Sequence, residues 1–280
     1  MTSSVKTRRT PMKNKAISYP YVGWMGLFVV APILIITLYA FTTDDGGFTL
    51  SNFQDMAQYT SAFGRSFLLA AIATVVCLLI GYPLAYLLAR ESGWLHRMAN
   101  MLIMLPMWMN FLLRTYSWKF LLERHGLINT LLGLLGLGPF QMIDTQGAIV
   151  LGMVYNFLPY MVLPIFSVIE KIDPKVIEAA QDLGADSITV FRRVILPLSL
   201  PGVLSGITMV FIPSVSTFAI SRLLGGSKTL LLGNLIDMQF LGSAYNPHLG
   251  SAISLVMMVI VMVCMAVMNH FGDGEEGVTL

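Results

Sequence analysis

Long apolar runs alternate with short polar segments along the whole chain. A helix that crosses the hydrocarbon core of a bilayer needs roughly 20 consecutive apolar residues, and six runs satisfy this length. These runs cover residues 22–41, 63–88, 99–121, 148–168, 198–220 and 252–268. The pattern therefore predicts an all-α integral membrane fold with six transmembrane helices.

Prolines interrupt two of these runs. Pro106 lies in the third run, and Pro159 and Pro164 lie in the fourth, so we expect both helices to be broken there. A further apolar stretch within residues 221–250 contains too many polar interruptions to span a bilayer. It is expected to be re-entrant or to lie along the outer surface.

The composition agrees with a membrane protein and excludes several other classes. Of the 280 residues, 56% are hydrophobic and 11% are charged, whereas soluble domains carry about 25% charged residues. The net charge is +2, and the chain has neither a basic face nor the zinc-ligand spacing that indicates binding to nucleic acid. Cys77 and Cys264 each lie inside an apolar run, so we expect small buried hydrophobes rather than a disulfide.

The distribution of lysine and arginine predicts the orientation, because these residues concentrate on the cytoplasmic side of a membrane. Residues 1–21 form a basic tail, and the loops after the second and fourth runs are also basic. The loop after the first run holds aspartates and no basic residue. We therefore expect two cytoplasmic termini, a transmembrane domain over residues 22–268 and an acidic tail over residues 269–280. Three basic residues fall in the outer loops and weaken this bias without reversing it: Arg124, Arg222 and Lys228.

One polar segment, residues 169–197, differs from the apolar background and is predicted to be cytoplasmic. Asp173 is a suitable N-cap for a helix that starts at Pro174, because proline at the first helical position has no N–H group to leave unpaired. Gly184 permits the left-handed backbone conformation that ends a helix. The segment is therefore expected to begin with a short helix outside the bilayer.

Together with a second short helix, this first helix is expected to form a helix–turn–helix elbow outside the bilayer. Asp186 or Ser187 can cap a second short helix that extends through Val194. Pro197 and Pro201 are expected to mark the point where the chain re-enters the membrane.

The same segment carries a fixed spacing of small and charged residues. It reads Glu178-Ala179-Ala180, three residues, Gly184, nine residues, Val194, one residue, and Leu196-Pro197. This spacing resembles the EAA motif of ABC-importer permeases, with Val194 in place of the usual isoleucine. The resemblance implies a type I importer permease fold, in which residues 169–197 are the coupling loop and dock into a groove of a separate ATP-hydrolysing subunit. It implies the coupling residues Glu178, Ala179, Ala180, Asp182, Gly184, Leu196 and Pro197.

The resemblance also implies partners at the inner membrane of a bacterium. They are two ATP-hydrolysing subunits, a second permease subunit that forms a heterodimer with this one, and an extracytoplasmic substrate-binding protein. The chain has no GxxxxGK[ST] phosphate loop, so we expect no enzymatic activity, cofactor or metal in it. An intramembrane enzyme or a proton-coupled transporter would need reactive or titratable groups within the spans, and the sequence does not place them there.

Three stretches narrow the class of substrate. Residues 105–122, 152–173 and 223–240 are similar to the first permease subunit of spermidine/putrescine importers. A path for such cations should offer aromatic faces and carboxylates. The candidate path residues are the aromatic and amide side chains Trp108, Asn110, Tyr155, Asn156 and Tyr160. Carboxylates are missing well inside the six runs, so they are expected largely from a partner subunit, with Asp237 in the outer loop as the nearest candidate.

Arg114 leaves an alternative open. A guanidinium group in the outer half of the third run would suit an anion, and permeases for sulfate, molybdate, phosphonate or ferric iron share parts of the same stretches. Alternatively, Arg114 extends to the outer headgroups or pairs with a carboxylate of a neighbouring subunit. The sequence favours a polyamine importer, with an importer for an anion or for ferric iron as the alternative.

Overall fold

The protein is a bundle of α-helices. The computed structural model describes residues 15–91, 93–226, 229–242 and 244–272, so most of the basic tail and most of the acidic tail lie outside the described residues. The helices are α1 (Lys15–Met25), α2 (Ala31–Ala40), α3 (Ser51–Met56), α4 (Thr60–Arg90), α5 (Trp94–Trp108), α6 (Phe111–Leu122), α7 (Leu127–Leu134), α8 (Gln146–Glu170), α9 (Pro174–Asp182), α10 (Ser187–Val190), α11 (Leu196–Ser216), α12 (Ala219–Leu224), α13 (Leu232–Leu241) and α14 (Pro247–Gly272).

Five helical stretches of the described chain are long and apolar enough to cross a bilayer. They are Tyr19–Ala40, Ser51–Arg90, Gln146–Glu170, Ser187–Ser216 and Pro247–Met268. Each overlaps one of the apolar runs, so five of the predicted transmembrane helices are confirmed. The third run does not form one long helix.

The third run forms two helices rather than one. Met109 has an extended backbone with ψ of 146°. The Asn110 side chain then accepts hydrogen bonds from the backbone N–H groups of Leu112 at 2.8 Å and Leu113 at 3.4 Å. An asparagine that bonds to the backbone in this way starts a new helix instead of continuing the old one. The expected break in this run is therefore present, and it comes shortly after Pro106 rather than at it.

The fourth run is continuous where breaks were expected. Helix α8 passes Pro159 and Pro164 without interruption. It packs between α4 and α11, and burial against both neighbours holds it helical although each proline removes one backbone hydrogen bond. These three helices form the centre of the bundle.

Glycines bring α11 close to α8. A Cβ atom at Gly202 would lie 2.8 Å from the carbonyl oxygen of Pro164, and one at Gly206 would lie 2.8 Å from the sulfur of Met161. Such close approach replaces the hydrophobic effect as a source of helix association in lipid. Cys77 is fully buried in the same core, and both cysteines are free thiols.

The first long helix is peripheral. Its apolar part, Tyr19–Ala40, is mostly exposed in the isolated subunit, and α2 packs against α14. At the start of α14, His248 Nε2 lies 3.2 Å from Asp44 Oδ1, and His248 Nδ1 lies 3.0 Å from the carbonyl oxygen of Tyr39. These contacts tie the loop after the first helix to the last helix.

Candidate functional site

The first half of the predicted coupling loop forms the capped helix that the sequence indicates. Asp173 Oδ1 accepts a hydrogen bond from the backbone N–H of Lys175 at 3.0 Å and caps α9. The helix ends at Asp182 with Leu183 as its C-cap, and the next residue, Gly184, has a φ of +85° in the left-handed region. The backbone N–H of Ala185 donates to the carbonyl of Ala180 at 3.1 Å, which closes this end as a Schellman motif.

A second cap follows immediately. Asp186 Oδ1 accepts a hydrogen bond from the backbone N–H of Thr189 at 3.2 Å, so Asp186 rather than Ser187 caps α10. Hydrogen bonds from the side chain and backbone of Thr189 lower the pKa of the Asp186 carboxyl, because they stabilise its ionised form. The cap is therefore complete at neutral pH, and its contribution is lost only as the pH falls below the ordinary range of aspartate.

The elbow continues directly into the fourth long helical stretch. Ser187–Ser216 is one helical stretch, so Pro197 and Pro201 do not interrupt it, and their position as the point of re-entry into the membrane stays a prediction. A π-helical turn lies just before Pro197, with the N–H of Leu196 bonded to the carbonyl of Phe191. This wider turn accommodates a residue that has no N–H group to donate. The elbow and α11 therefore form one structural unit.

The elbow, which consists of α9 and α10, lies on the surface of the subunit. No residue of α9 is buried, and Leu183 and Ile188 are 90% and 67% exposed. A shallow cavity of about 380 Å³ lies between the two helices. Of the predicted coupling residues, Ala180 is half-buried and the others are exposed: Glu178, Ala179, Asp182, Gly184, Leu196 and Pro197. Exposed apolar side chains grouped in this way are typical of a surface that binds another protein.

The buried side of the elbow is anchored by aromatic rings that the sequence analysis did not single out. Phe191 packs edge-on against Tyr82 and Tyr86, with ring centroids 5.8 and 5.3 Å apart. The Tyr82 hydroxyl lies 2.8 Å from the Ser199 hydroxyl, and the Arg90 guanidinium lies over the Tyr86 ring at 4.9 Å. The four-residue spacing of the two tyrosines places them on one face of α4 and is the signal that could have identified this contact.

Two of the predicted path residues lie at the break between α5 and α6. Trp108 is the last residue of α5 and is 75% exposed, so its ring is available to a neighbour of this subunit. The Asn110 side chain accepts two backbone hydrogen bonds as the cap of α6. Its amide oxygen therefore has a structural role, which the sequence analysis did not foresee.

The other predicted path residues lie on α8. Tyr155 packs edge-on against Trp118 of α6, with ring centroids 5.3 Å apart. Asn156 is buried and donates hydrogen bonds to the carbonyl of Gly152 at 2.9 Å and to Thr115 Oγ1 at 3.5 Å. Tyr160 is 38% exposed. Tyr155 and Asn156 are thus brought against α6, and their part in a substrate path stays a prediction.

Arg114 is buried without a full set of hydrogen bonds. Its side chain is only 7% exposed, and its Nε and Nη1 atoms have no hydrogen-bond partner within the described residues. The expectation that it extends to the headgroups is therefore not met. A buried and unpaired guanidinium is costly, and because the chain itself covers these atoms, a partner can reach them only if the packing around Arg114 changes.

The stretch after α11 folds back into the bundle. Helices α12 and α13 contain the fully buried Leu224 and Leu232, and the backbone N–H of Leu232 donates to Ser66 Oγ on α4 at 2.9 Å. Burial on this scale favours the re-entrant alternative over a surface location. Where α12 meets α13, Arg222 Nη1 lies 3.1 Å from Asp237 Oδ2.

A helical bundle with several long apolar helices, and an exposed, doubly capped elbow just before the penultimate one, defines a permease subunit of an ABC importer. The chain belongs to the family of binding-protein-dependent transport system inner membrane components, whose sequence profile matches residues 81–273. It is therefore a multi-pass membrane component of a transport assembly that includes a binding protein, and it is not itself an enzyme.

Relatives and solved structures agree with this assignment. The chain is 38% identical over 248 residues to the spermidine/putrescine transport system permease protein PotB of Haemophilus influenzae, covering 85% of this chain and 86% of that protein. It is 38% identical over 249 residues to PotB of Escherichia coli, covering 85% and 90%. A bacterial ABC transporter involved in the import of alginate has the same fold, with a TM-score of 0.81 at 17% identity over 93% of this chain and 94% of that one.

Proposed function

We propose that this chain is one permease subunit of an importer for polyamines such as spermidine and putrescine. The observation that carries the proposal is its 38% identity, over 85% of its length, to permeases of spermidine/putrescine transport systems. The exposed ring of Trp108 supports it, because an indole face attracts cations. The remaining predicted path residues, Asn110, Tyr155, Asn156 and Tyr160, supply amide and aromatic surface.

The assembly we propose contains a second, different permease subunit. The lack of carboxylates well inside the long apolar runs supports this arrangement, because a path for a polycation needs acidic groups. A partner rich in carboxylates would supply them. Two ATP-hydrolysing subunits and an extracytoplasmic binding protein complete the importer.

The exposed elbow is the proposed contact with the ATP-hydrolysing subunits. In the orientation that this contact requires, residues 169–197 and both termini lie in the cytoplasm, and residues 22–268 form the transmembrane domain. In this arrangement Glu178 and Asp182 lie on an exposed face of α9, and Gly184 shapes the turn beside it. The connected helix Ser187–Ser216 then transmits movement of the elbow into the membrane.

An anion importer is the second candidate, and Arg114 is the observation that favours it. If the packing around it opens, the Arg114 guanidinium could bind sulfate or a related oxyanion through its unpaired Nε and Nη1 donors. The two candidates predict opposite selectivities. Uptake of labelled spermidine, putrescine, sulfate and ferric iron by the assembled importer in proteoliposomes distinguishes them: ATP-dependent, saturable uptake of a polyamine supports the proposal, and uptake of sulfate without polyamine uptake refutes it.

Variants of Trp108 and Arg114 sharpen this test. Trp108→Leu keeps an apolar side chain but removes the electron-rich face, so spermidine uptake should fall about two- to thirtyfold, the range that corresponds to a cation–π contact of about 0.5–2 kcal/mol. Trp108→Phe should be milder. Trp24→Leu is the matched control, because Trp24 is an exposed tryptophan on the peripheral helix. Normal uptake by Trp108→Leu would remove Trp108 from the path.

Arg114→Gln separates the two roles of the arginine. If Arg114 pairs with the second permease subunit, the variant should co-purify with less of that subunit, while spermidine uptake per assembled complex persists. If Arg114 binds an anionic substrate, assembly should be normal and sulfate uptake should be lost.

A further inference from the structure

A cavity of about 650 Å³ lies where α12 meets α13, within the range of volumes typical of small-molecule sites. Its wall combines a carboxylate, an amide and apolar side chains, contributed by Asp237, Asn234, Leu230, Met238 and Leu241, with Arg222 beside them. A carboxylate next to an apolar wall matches a chain of methylenes that ends in an ammonium group. The chemical character of this cavity therefore resembles that of one end of a polyamine.

Two polar contacts connect α12 to α13, and they differ in burial. The first joins the hydroxyl of Ser221 to the amide oxygen of Asn234, and both residues are buried. The second is the ion pair between Arg222 Nη1 and Asp237 Oδ2 at 3.1 Å. Because the first contact and the buried leucines already hold the two helices together, the ion pair is not needed to keep them in place.

The two partners of the ion pair differ in their freedom to move. The Arg222 side chain is 69% exposed, whereas the Asp237 side chain is 22% exposed. Asp237 is therefore fixed at the cavity wall, and Arg222 reaches it from the solvent side on a long, flexible arm. Ion pairs with such an exposed member contribute little to stability, so another cation can replace the guanidinium at small cost.

We propose that this cavity is a subsite for one ammonium end of a polyamine. While the subsite is empty, Arg222 forms an ion pair with Asp237 and so acts as a competitor of the substrate's ammonium group for this carboxylate. The competitor keeps a partly buried carboxylate from being left unpaired. It also limits the affinity for the substrate, which a transport site requires because the substrate must leave again. Since it names where the substrate binds, this subsite rests on the function proposed above.

The proposal predicts opposite effects for the two partners. Asp237→Asn removes the charge that holds the ammonium, so affinity for spermidine should fall about tenfold, the effect of losing one charge-assisted hydrogen bond. Arg222→Gln removes the competitor, so affinity should rise about two- to fivefold, given the small contribution of an exposed ion pair. In the double variant the gain from Arg222→Gln should vanish, because the competitor acts only through Asp237.

Equilibrium binding of labelled spermidine to the complete importer in nanodiscs, without the binding protein, measures these affinities. Arg124→Gln is the matched control, since Arg124 is an exposed arginine outside the cavity. The exchange variant Arg222→Asp/Asp237→Arg is decisive, because it restores an ion pair but not a carboxylate fixed at the wall. It should bind spermidine as weakly as Asp237→Asn.

Two results would overturn the subsite. One is that both single variants lower the affinity and the exchange variant restores it, which would make the ion pair purely structural. The other is unchanged affinity in both single variants while the wild type binds spermidine. A wild-type importer that neither binds nor transports any polyamine would refute the proposed function itself, and the subsite with it.

Discussion

Gly184 offers a clean test of the elbow, because a side chain added there strains the backbone without touching a neighbour. A Cβ atom at Gly184 would have no heavy atom within 4 Å among the described residues, yet its φ is +85°. Left-handed geometry costs an ordinary L-residue roughly 1–2 kcal/mol, which corresponds to a factor of about 5–30 in the population of the turn. Asparagine tolerates this geometry better than alanine, and a β-branched residue tolerates it worst.

The variants Gly184→Asn, Gly184→Ala and Gly184→Val should therefore lose transport in that order, from least to most. Valine is expected to reduce uptake to about a fifth or less. Insertion and yield should be unchanged, because the turn is exposed and lies outside the packed core. The order is informative, since asparagine is larger than alanine: if contact with the ATP-hydrolysing subunit limited the size of the side chain, asparagine would be worse than alanine.

The assay combines spermidine uptake in proteoliposomes with ATP hydrolysis stimulated by the binding protein and with co-purification of the ATP-hydrolysing subunit. Wild-type uptake by Gly184→Val would refute the role of the turn in coupling. Greater damage from asparagine than from alanine would show that size at the interface, and not backbone strain, controls this position.

Two further predictions concern packing and topology. Gly202→Ala should lower the thermal unfolding temperature in detergent, because its Cβ would lie 2.8 Å from the Pro164 carbonyl and overpacking costs about 1–3 kcal/mol. Gly64→Ala is the control, since its Cβ meets nothing within 4 Å, and equal unfolding temperatures would contradict the close packing of α11 on α8. Single cysteines at the exposed positions Gly46 and Ser187 should react differently with an impermeant reagent in sealed cells, Gly46 from outside and Ser187 not at all. Labelling at Ser187 would reverse the orientation.

The parts of the fold that local chemistry determines were predicted from the sequence. Asp173 and Gly184 bound α9 through interactions with residues only a few positions away, so the pattern of residue types was sufficient. The break in the third run was placed less well, because a Pro106 in an apolar run does not reveal that Asn110 will compete with the backbone as a cap. The continuity of α8 also escaped prediction, because it depends on burial between two distant helices.

In the candidate site, too, features set by neighbouring residues were predicted, and features set by packing between distant helices were not. The spacing from Glu178 to Pro197 predicted the location of the coupling loop, because the whole motif lies in one contiguous segment; its contact with an ATP-hydrolysing subunit stays a prediction. The ion pair between Arg222 and Asp237 forms between two different helices, and no periodicity in the sequence indicates that these residues are in contact. The burial of Arg114 likewise depends on packing among helices that are far apart in the chain, so the sequence could only leave its role open.

The unbroken helix from Ser187 to Ser216 has a mechanical consequence. It contains 30 residues, and at 1.5 Å per residue it is about 45 Å long, so a tilt of about 10° around the elbow displaces its far end by roughly 8 Å. Helix α12 follows this far end directly, and Arg222 lies on α12. We therefore expect a small rotation at the elbow to move α12 by several ångströms, together with α13, because buried contacts hold these two helices together.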